Sequence, residues 1–156
     1  MRTRGFTLIE LVVTLAIIGL LAASAMPLAQ LVAQREKEAD LRAALRDIRM
    51  ALDAYHTAAL TGHIKMALGA SGYPPDLKSL YAGVEDTASE KKVNLYFLRR
   101  LPRDPFFPDS SVPAEETWGV RSYDSPPDDP QPGEDVFDVI SLAPGKGLNG
   151  ISYHDW

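Results

Sequence analysis

Glu10 is the one charged residue inside an apolar run that extends from Phe6 to Leu28. An ionised carboxylate within hydrocarbon costs about 3 kcal/mol or more unless it is paired. Two readings follow. Near the end of the run, the side chain snorkels towards the interface. Alternatively, it awaits a positive partner supplied by another chain. Elsewhere the residues with chemical potential are scattered. His56, His63 and His154 show no metal-ligand spacing, and His154-Asp155 is only a neighbouring pair. The absence of cysteine excludes a disulfide framework, a thiolate metal site and a cysteine nucleophile. No GxSxG, P-loop or GxGxxG pattern occurs, and Gly145-Lys146-Gly147 reads as a turn. No catalytic constellation emerges, so an enzyme is not expected.

The elements that must position Glu10 come next. The chain has 156 residues, enough for one domain plus an added segment. Sixteen basic against twenty-one acidic residues give a net charge of −5, which argues against a nucleic-acid partner. From Leu11 to Gln34 there are 24 residues without a charge. As a helix they would reach about 36 Å, more than a hydrocarbon core of about 30 Å. A cleaved export signal is the alternative, with Ala22-Ala23-Ser24-Ala25 as small residues for a cut, but the apolar pattern continues past them. Arg2 and Arg4 precede the run, whereas Arg35-Glu36-Lys37-Glu38 after it is mixed in sign. The N-terminus is therefore expected in the cytoplasm and the C-terminal domain across the inner membrane.

Beyond the span, Leu41, Ala44, Leu45, Ile48, Ala51/Leu52, Tyr55 and Ala59 recur at helical spacing, with Arg42, Arg46, Asp47, Arg49 and Asp53 between them. The spacing predicts an amphipathic continuation to about Leu60, with Gly62 as its stop. Pro27 lies inside the helix and should kink or loosen it. Tyr73-Pro74-Pro75-Asp76 marks a turn, followed by one short helical turn to Leu80. Residues 82–94 read as polar loop, and Leu95–Leu98 as a strand or helix end. Glu116–Tyr123 and Asp135–Ser141 read as two strands of a hairpin, joined by the proline-rich loop Asp124–Gly133. Residues 104–156 hold eleven acids against Arg121 and Lys146, a face that is solvated or meets basic partners.

Gly5-Phe6-Thr7-Leu8-Ile9-Glu10, behind a short basic leader and before an apolar helix, resembles the class III signal of type IV pilins and type II secretion pseudopilins. Tyr73-Pro74, Leu101-Pro102-Arg103-Asp104-Pro105, Trp118-Gly119 with Tyr123, Asp138–Leu142 and Trp156 extend the resemblance over nearly the whole chain, towards the major (G-type) pseudopilins. The implied fold is α+β: a long N-terminal helix packed on a small antiparallel sheet. The implied organisation is a leader, 1–5, removed by a prepilin peptidase; a membrane and filament-core helix, 6–34; an amphipathic continuation, 35–62; and a periplasmic globular domain, 63–156. The resemblance puts the cut between Gly5 and Phe6, N-methylation on Phe6, a helix kink at Pro27 and an assembly role on Glu10, whose carboxylate would meet the Phe6 ammonium of a neighbouring subunit. Many G-type members bind calcium after the Ser-Leu strand end. Here Gly145 stands where the family has aspartate, which leaves Leu142, Asn149 and Asp155 as oxygen donors for a tentative calcium loop.

The resemblance implies a homo-oligomeric subunit of a pseudopilus that drives folded proteins through an outer-membrane secretin. Its partners would be the prepilin peptidase, an inner-membrane assembly platform, minor pseudopilins and, before assembly, membrane lipid. A type IV or competence-pilus pilin is the second reading, and the absence of a C-terminal cysteine pair favours secretion over it. A membrane-anchored periplasmic binding module that never polymerises is the third. Cysteines introduced at Ala16 and Leu20 separate the last from both filament readings. Crosslinked ladders are expected from a filament, and persistent monomers from the module.

Overall fold

The computed structural model describes residues 5–156; Arg2 and Arg4, with all of the expected leader but Gly5, lie outside the described residues. A single helix, α1, spans Leu8–Leu60 and contains Pro27. The chain divides into two compact units, one ending at Lys37 and one running from Glu38 to Trp156.

In the first unit the helix keeps its apolar side chains exposed on every face, among them Leu8, Ile9, Leu11, Val12, Leu15, Ile18, Leu21 and Leu28. None of its most apolar 18-residue window is buried, and that window has a mean hydropathy of 2.4. Such a surface has no partner in water. It has the length and composition to cross a bilayer.

The second unit is organised by the expected apolar stripe. Leu41, Ala44, Leu45, Ile48, Ala51, Leu52, Tyr55 and Ala59 are all buried, as their spacing requires. The helix ends where Gly62 was expected to stop it. The Gly62 amide donates to the Ala59 carbonyl (3.2 Å), and that of His63 to Ala58 (2.9 Å). This paired bonding is a Schellman cap, and it requires the left-handed φ of +82° that glycine supplies.

Against the stripe pack short elements: α2 (Ser79–Ala82), β1 (Val84–Glu85), β2 (Asn94–Leu95), β3 (Trp118–Arg121) and β4 (Asp138–Ser141). Two separate two-stranded antiparallel sheets form, β1 with β2 and β3 with β4, where one small sheet was expected. The expected hairpin is present as β3 and β4, in register from Trp118 opposite Ser141 to Arg121 opposite Asp138. Its strands are shorter than the sequence suggested. Residues 114–117 turn into a 3-10 helix, and Phe137 returns its amide to the Arg121 carbonyl outside the ladder (2.8 Å). The stretch 82–94, expected as loop, contributes β1 and the first residue of β2.

Such short ladders need other fastenings. Arg49 on α1 supplies one. Its guanidinium donates to Asp138 Oδ1 (2.8 Å), the Val139 carbonyl (3.2 Å) and the Trp156 carbonyl (3.0 Å). The planar fork suits three acceptors held in one geometry. Asp104 supplies another. It is buried, receives the Ser141 hydroxyl at 2.5 Å and caps the Phe106 amide at 2.8 Å. Trp118 donates its indole N–H to the Pro102 carbonyl (2.9 Å), tying the proline turn to β3.

His63 and Asp86 join the α1 exit to β1, with Nδ1 3.0 Å from Oδ1. The His63 hydrogen bond, with amide bonds from Ala88 and Ser89, holds the Asp86 carboxyl below the usual carboxylate range. A depressed folded-state value means that its stabilisation is complete above the unfolded value of about 3.9 and is lost as pH falls through the folded one. Amide protection at Ala88, which donates to Asp86 Oδ1 at 2.9 Å, is expected to fall on acidification through that window. Asp86→Asn should remove the dependence, and proton-exchange measurements as a function of pH check it.

Candidate functional site

The N-terminal segment builds its site from local chemistry. Gly5, Phe6 and Thr7 are exposed and non-helical, and the helix starts at Leu8. Thr7 is therefore the residue preceding the first helical turn, where orphaned amides need acceptors. Its hydroxyl oxygen accepts the Glu10 amide at 3.3 Å. Glu10 reaches back, and Oε2 accepts the Thr7 amide (3.3 Å) and the Thr7 hydroxyl (3.2 Å). This is a reciprocal capping box. The carboxylate also faces the positive end of the helix dipole. Its other oxygen, Oε1, makes no hydrogen bond among the described residues. One turn on, Thr14 returns its hydroxyl to the carbonyls of Glu10 and Leu11, both at 2.9 Å, so its polar atom is satisfied within the apolar stretch.

The capping box was readable as Thr7-x-x-Glu10, the Ser/Thr-x-x-Glu signature of a helix start. From the sequence, Glu10 receives an interfacial or inter-subunit role, and this local one is missed.

Comparison with known proteins gives this segment its context. Residues 1–26 match the family described as the prokaryotic N-terminal methylation motif. The chain is 31% identical to type II secretion system core protein G of Dickeya chrysanthemi over 159 aligned positions, covering 96% of this chain and 95% of that protein. The chain belongs to the type II secretion system core protein G family, the major pseudopilins. Core protein G of Klebsiella pneumoniae is 34% identical over 110 residues, covering 67% of this chain and 70% of that protein. That of Pectobacterium carotovorum subsp. carotovorum is 34% identical over 112 residues, covering 67% and 63%. No solved structure gives a significant match. The resemblance read from the N-terminal motif and the scattered motifs downstream of it is thus borne out, as is the α+β architecture.

The remaining candidates in this pseudopilin fall in the second unit and do not converge. His56 stacks on Tyr73, with ring centres 4.2 Å apart, His63 meets Asp86, and His154 lies beside Asp155 at 3.2 Å. Ser71 and His56 line the same cavity of about 1170 Å³, but Ser71 donates directly to Asp135, with no imidazole between them. Of the tentative calcium donors, Leu142 and Asp155 are exposed, and Asn149 Oδ1 already accepts the Ile151 amide at 3.1 Å. Among the described residues no three His, Cys, Asp or Glu side chains cluster to hold a metal. A calcium cage draws six to eight oxygens, backbone carbonyls among them.

Thr7→Val preserves side-chain shape but deletes the capping hydroxyl. It should cost the helix start about 1 kcal/mol. Amide exchange at Glu10, measured on the full chain in detergent micelles, is expected to quicken roughly fivefold while the helix beyond Thr14 is unchanged. Unchanged exchange at Glu10 would show that the box does not form in solution.

Proposed function

We propose that this chain is a structural subunit of a type II secretion pseudopilus, processed at its N-terminus and polymerised through α1. The observation that carries the reading is an apolar helix exposed on every face, with one carboxylate fixed at its start. Lipid covers that surface while the subunit waits in the inner membrane, with its N-terminus cytoplasmic and Glu38–Trp156 in the periplasm. Helices of neighbouring copies cover it in the filament.

Processing suits the local backbone. Extended, exposed residues are accessible to a protease where a helix is not. The Gly5–Phe6 amide lies before the helix, in a non-helical segment. Its hydrolysis by a prepilin peptidase releases Met1–Gly5 and leaves a new ammonium on Phe6, which is then N-methylated. Glu10 Oε1, which makes no hydrogen bond among the described residues, provides a partner for the Phe6 ammonium of the adjacent copy. A buried charge that loses its partner destabilises by about 3–5 kcal/mol, so the pair rejects misregistered subunits. Contacts repeated head to tail without closing give a filament. Pro27, which removes one backbone bond, is the place where the helix can bend as copies pack.

The relatives are named core protein G of a type II secretion system, and that name supports export of folded proteins through an outer-membrane secretin as the process served. The assembly platform and minor pseudopilins are the partners this requires. The role is structural and not enzymatic, in keeping with three histidines engaged separately.

The test uses a clean deletion strain. Loss of exoproteins from the medium is expected, with rescue by the wild type but not by Glu10→Ala or Glu10→Gln. Both variants should still be inserted and cleaved. Glutamine keeps a capping acceptor and loses only the charge, so failure of both variants assigns the defect to the ion pair. Normal secretion with Glu10→Gln would reduce Glu10 to its capping role. Intact secretion with lost pili or DNA uptake would move the protein to a pilus system.

A further inference from the structure

The segment from Leu142 to Trp156 carries almost no regular structure, yet it is held against α1. Within it, Gly147 and Ile151 pair through the Gly147 amide (2.8 Å), Gly150 returns its amide to Gly147 (2.8 Å), and Lys146 bridges to Ser152. A Cβ at Gly147 would collide with the Trp156 indole, so glycine sets how closely the loop and the last residue approach. What fastens this folded loop to the helix is a charged side chain on the face of the buried stripe, three residues before Leu41. Glu38 is 4% exposed. Its Oε1 accepts the Leu148 amide at 2.8 Å and the Tyr153 hydroxyl at 3.2 Å. Arg42, one turn on, lies 3.8 Å from Oε2 and places its guanidinium 4.2 Å from the centre of the Trp156 ring.

The oxygen donors this loop offers a divalent cation are few, and they are engaged or set beside positive charge. Asn149 Oδ1 is engaged within the loop, Asp155 is exposed beside His154, and Arg42 and Lys146 bring positive charge. The buried carboxylate of Glu38 points Oε1 at an N–H and an O–H. We propose that Glu38 takes the place of a metal at this loop: its buried carboxylate fastens Gly147–Trp156 to α1 through hydrogen bonds, and the segment folds without calcium. Glu38 is a positioning residue. It fixes the loop, and through Arg42 and Trp156 it fixes the end of the chain. This does not depend on filament assembly.

Hydrogen exchange on the full chain in detergent micelles tests it, with calcium chloride or with EGTA. Protection of Gly147–Trp156 is expected to be the same in both. Glu38→Ala should speed exchange at Leu148 by about tenfold or more, because a hydrogen bond to a charged acceptor is lost from a buried site. Protection in β3 and β4 should survive, and excess calcium should not restore the loop. Glu38→Gln keeps an acceptor oxygen for the Leu148 amide and loses the charge facing Arg42, so a smaller increase confined to the same segment is expected. Should Glu38→Ala fail to fold, the glutamine variant and the wild-type comparison decide alone. Loop protection that rises with calcium or falls with EGTA in the wild type overturns the proposal. So does unchanged exchange at Leu148 in the folded Glu38 variants.

Discussion

Apolar side chains on every face of a helix have no place in water. That constraint governs α1 up to Lys37, where leucines, isoleucines and valines are exposed around the whole circumference. The hydrophobic effect rewards removal of that area from water and is indifferent to what covers it. Lipid and identical helices both serve, and a subunit that moves from membrane to filament exchanges one apolar partner for another. The net gain on assembly then comes from packing and polar contacts, since lipid already satisfies the hydrophobic term. A single carboxylate near the helix start therefore carries more weight than its share of the surface suggests.

From Glu38 onwards the same helix obeys the other rule, with one stripe buried and the rest in water. What packs on the stripe is poor in ladders: the strands hold two or four residues each. Cohesion comes instead from polar pins that reach across long sequence separations. Arg49 binds β4 and the last residue, Asp104 binds Ser141, Glu38 binds the C-terminal loop, and Trp118 binds the proline turn. Each satisfies a backbone or side-chain group that would otherwise be orphaned against the core.

The stripe from Leu41 to Ala59, the Gly62 cap and the β3–β4 hairpin were legible because each rests on local spacing or on a single residue's backbone preference. The pair β1 and β2 was not, because two-residue strands have no periodicity to read. Asp104, Arg49 and Glu38 were equally hidden. Their partners lie 37, 89 and 110 residues away, and by composition each reads as a solvated charge. At the N-terminus the opposite happened. The capping box was written in four consecutive residues, Thr7 to Glu10, and an apolar context drew attention to the charge instead of to its local bonds.

Those local bonds change how Glu10 is understood. A bare carboxylate in hydrocarbon would resist insertion, yet on the proposed reading the subunit resides in the membrane before any neighbour arrives. The capping box supplies part of the missing solvation, from the Thr7 amide, the Thr7 hydroxyl and the dipole of the helix itself. Only Oε2 is used in this way. A carboxylate accepts through both oxygens, so capping in the monomer and pairing with a neighbour's ammonium do not compete. On the proposed reading, the cap makes the lone subunit tolerable and the ion pair makes the packed one preferred. One residue can then hold a helix start in place and report, through the loss of its second partner, that a neighbouring subunit is out of register.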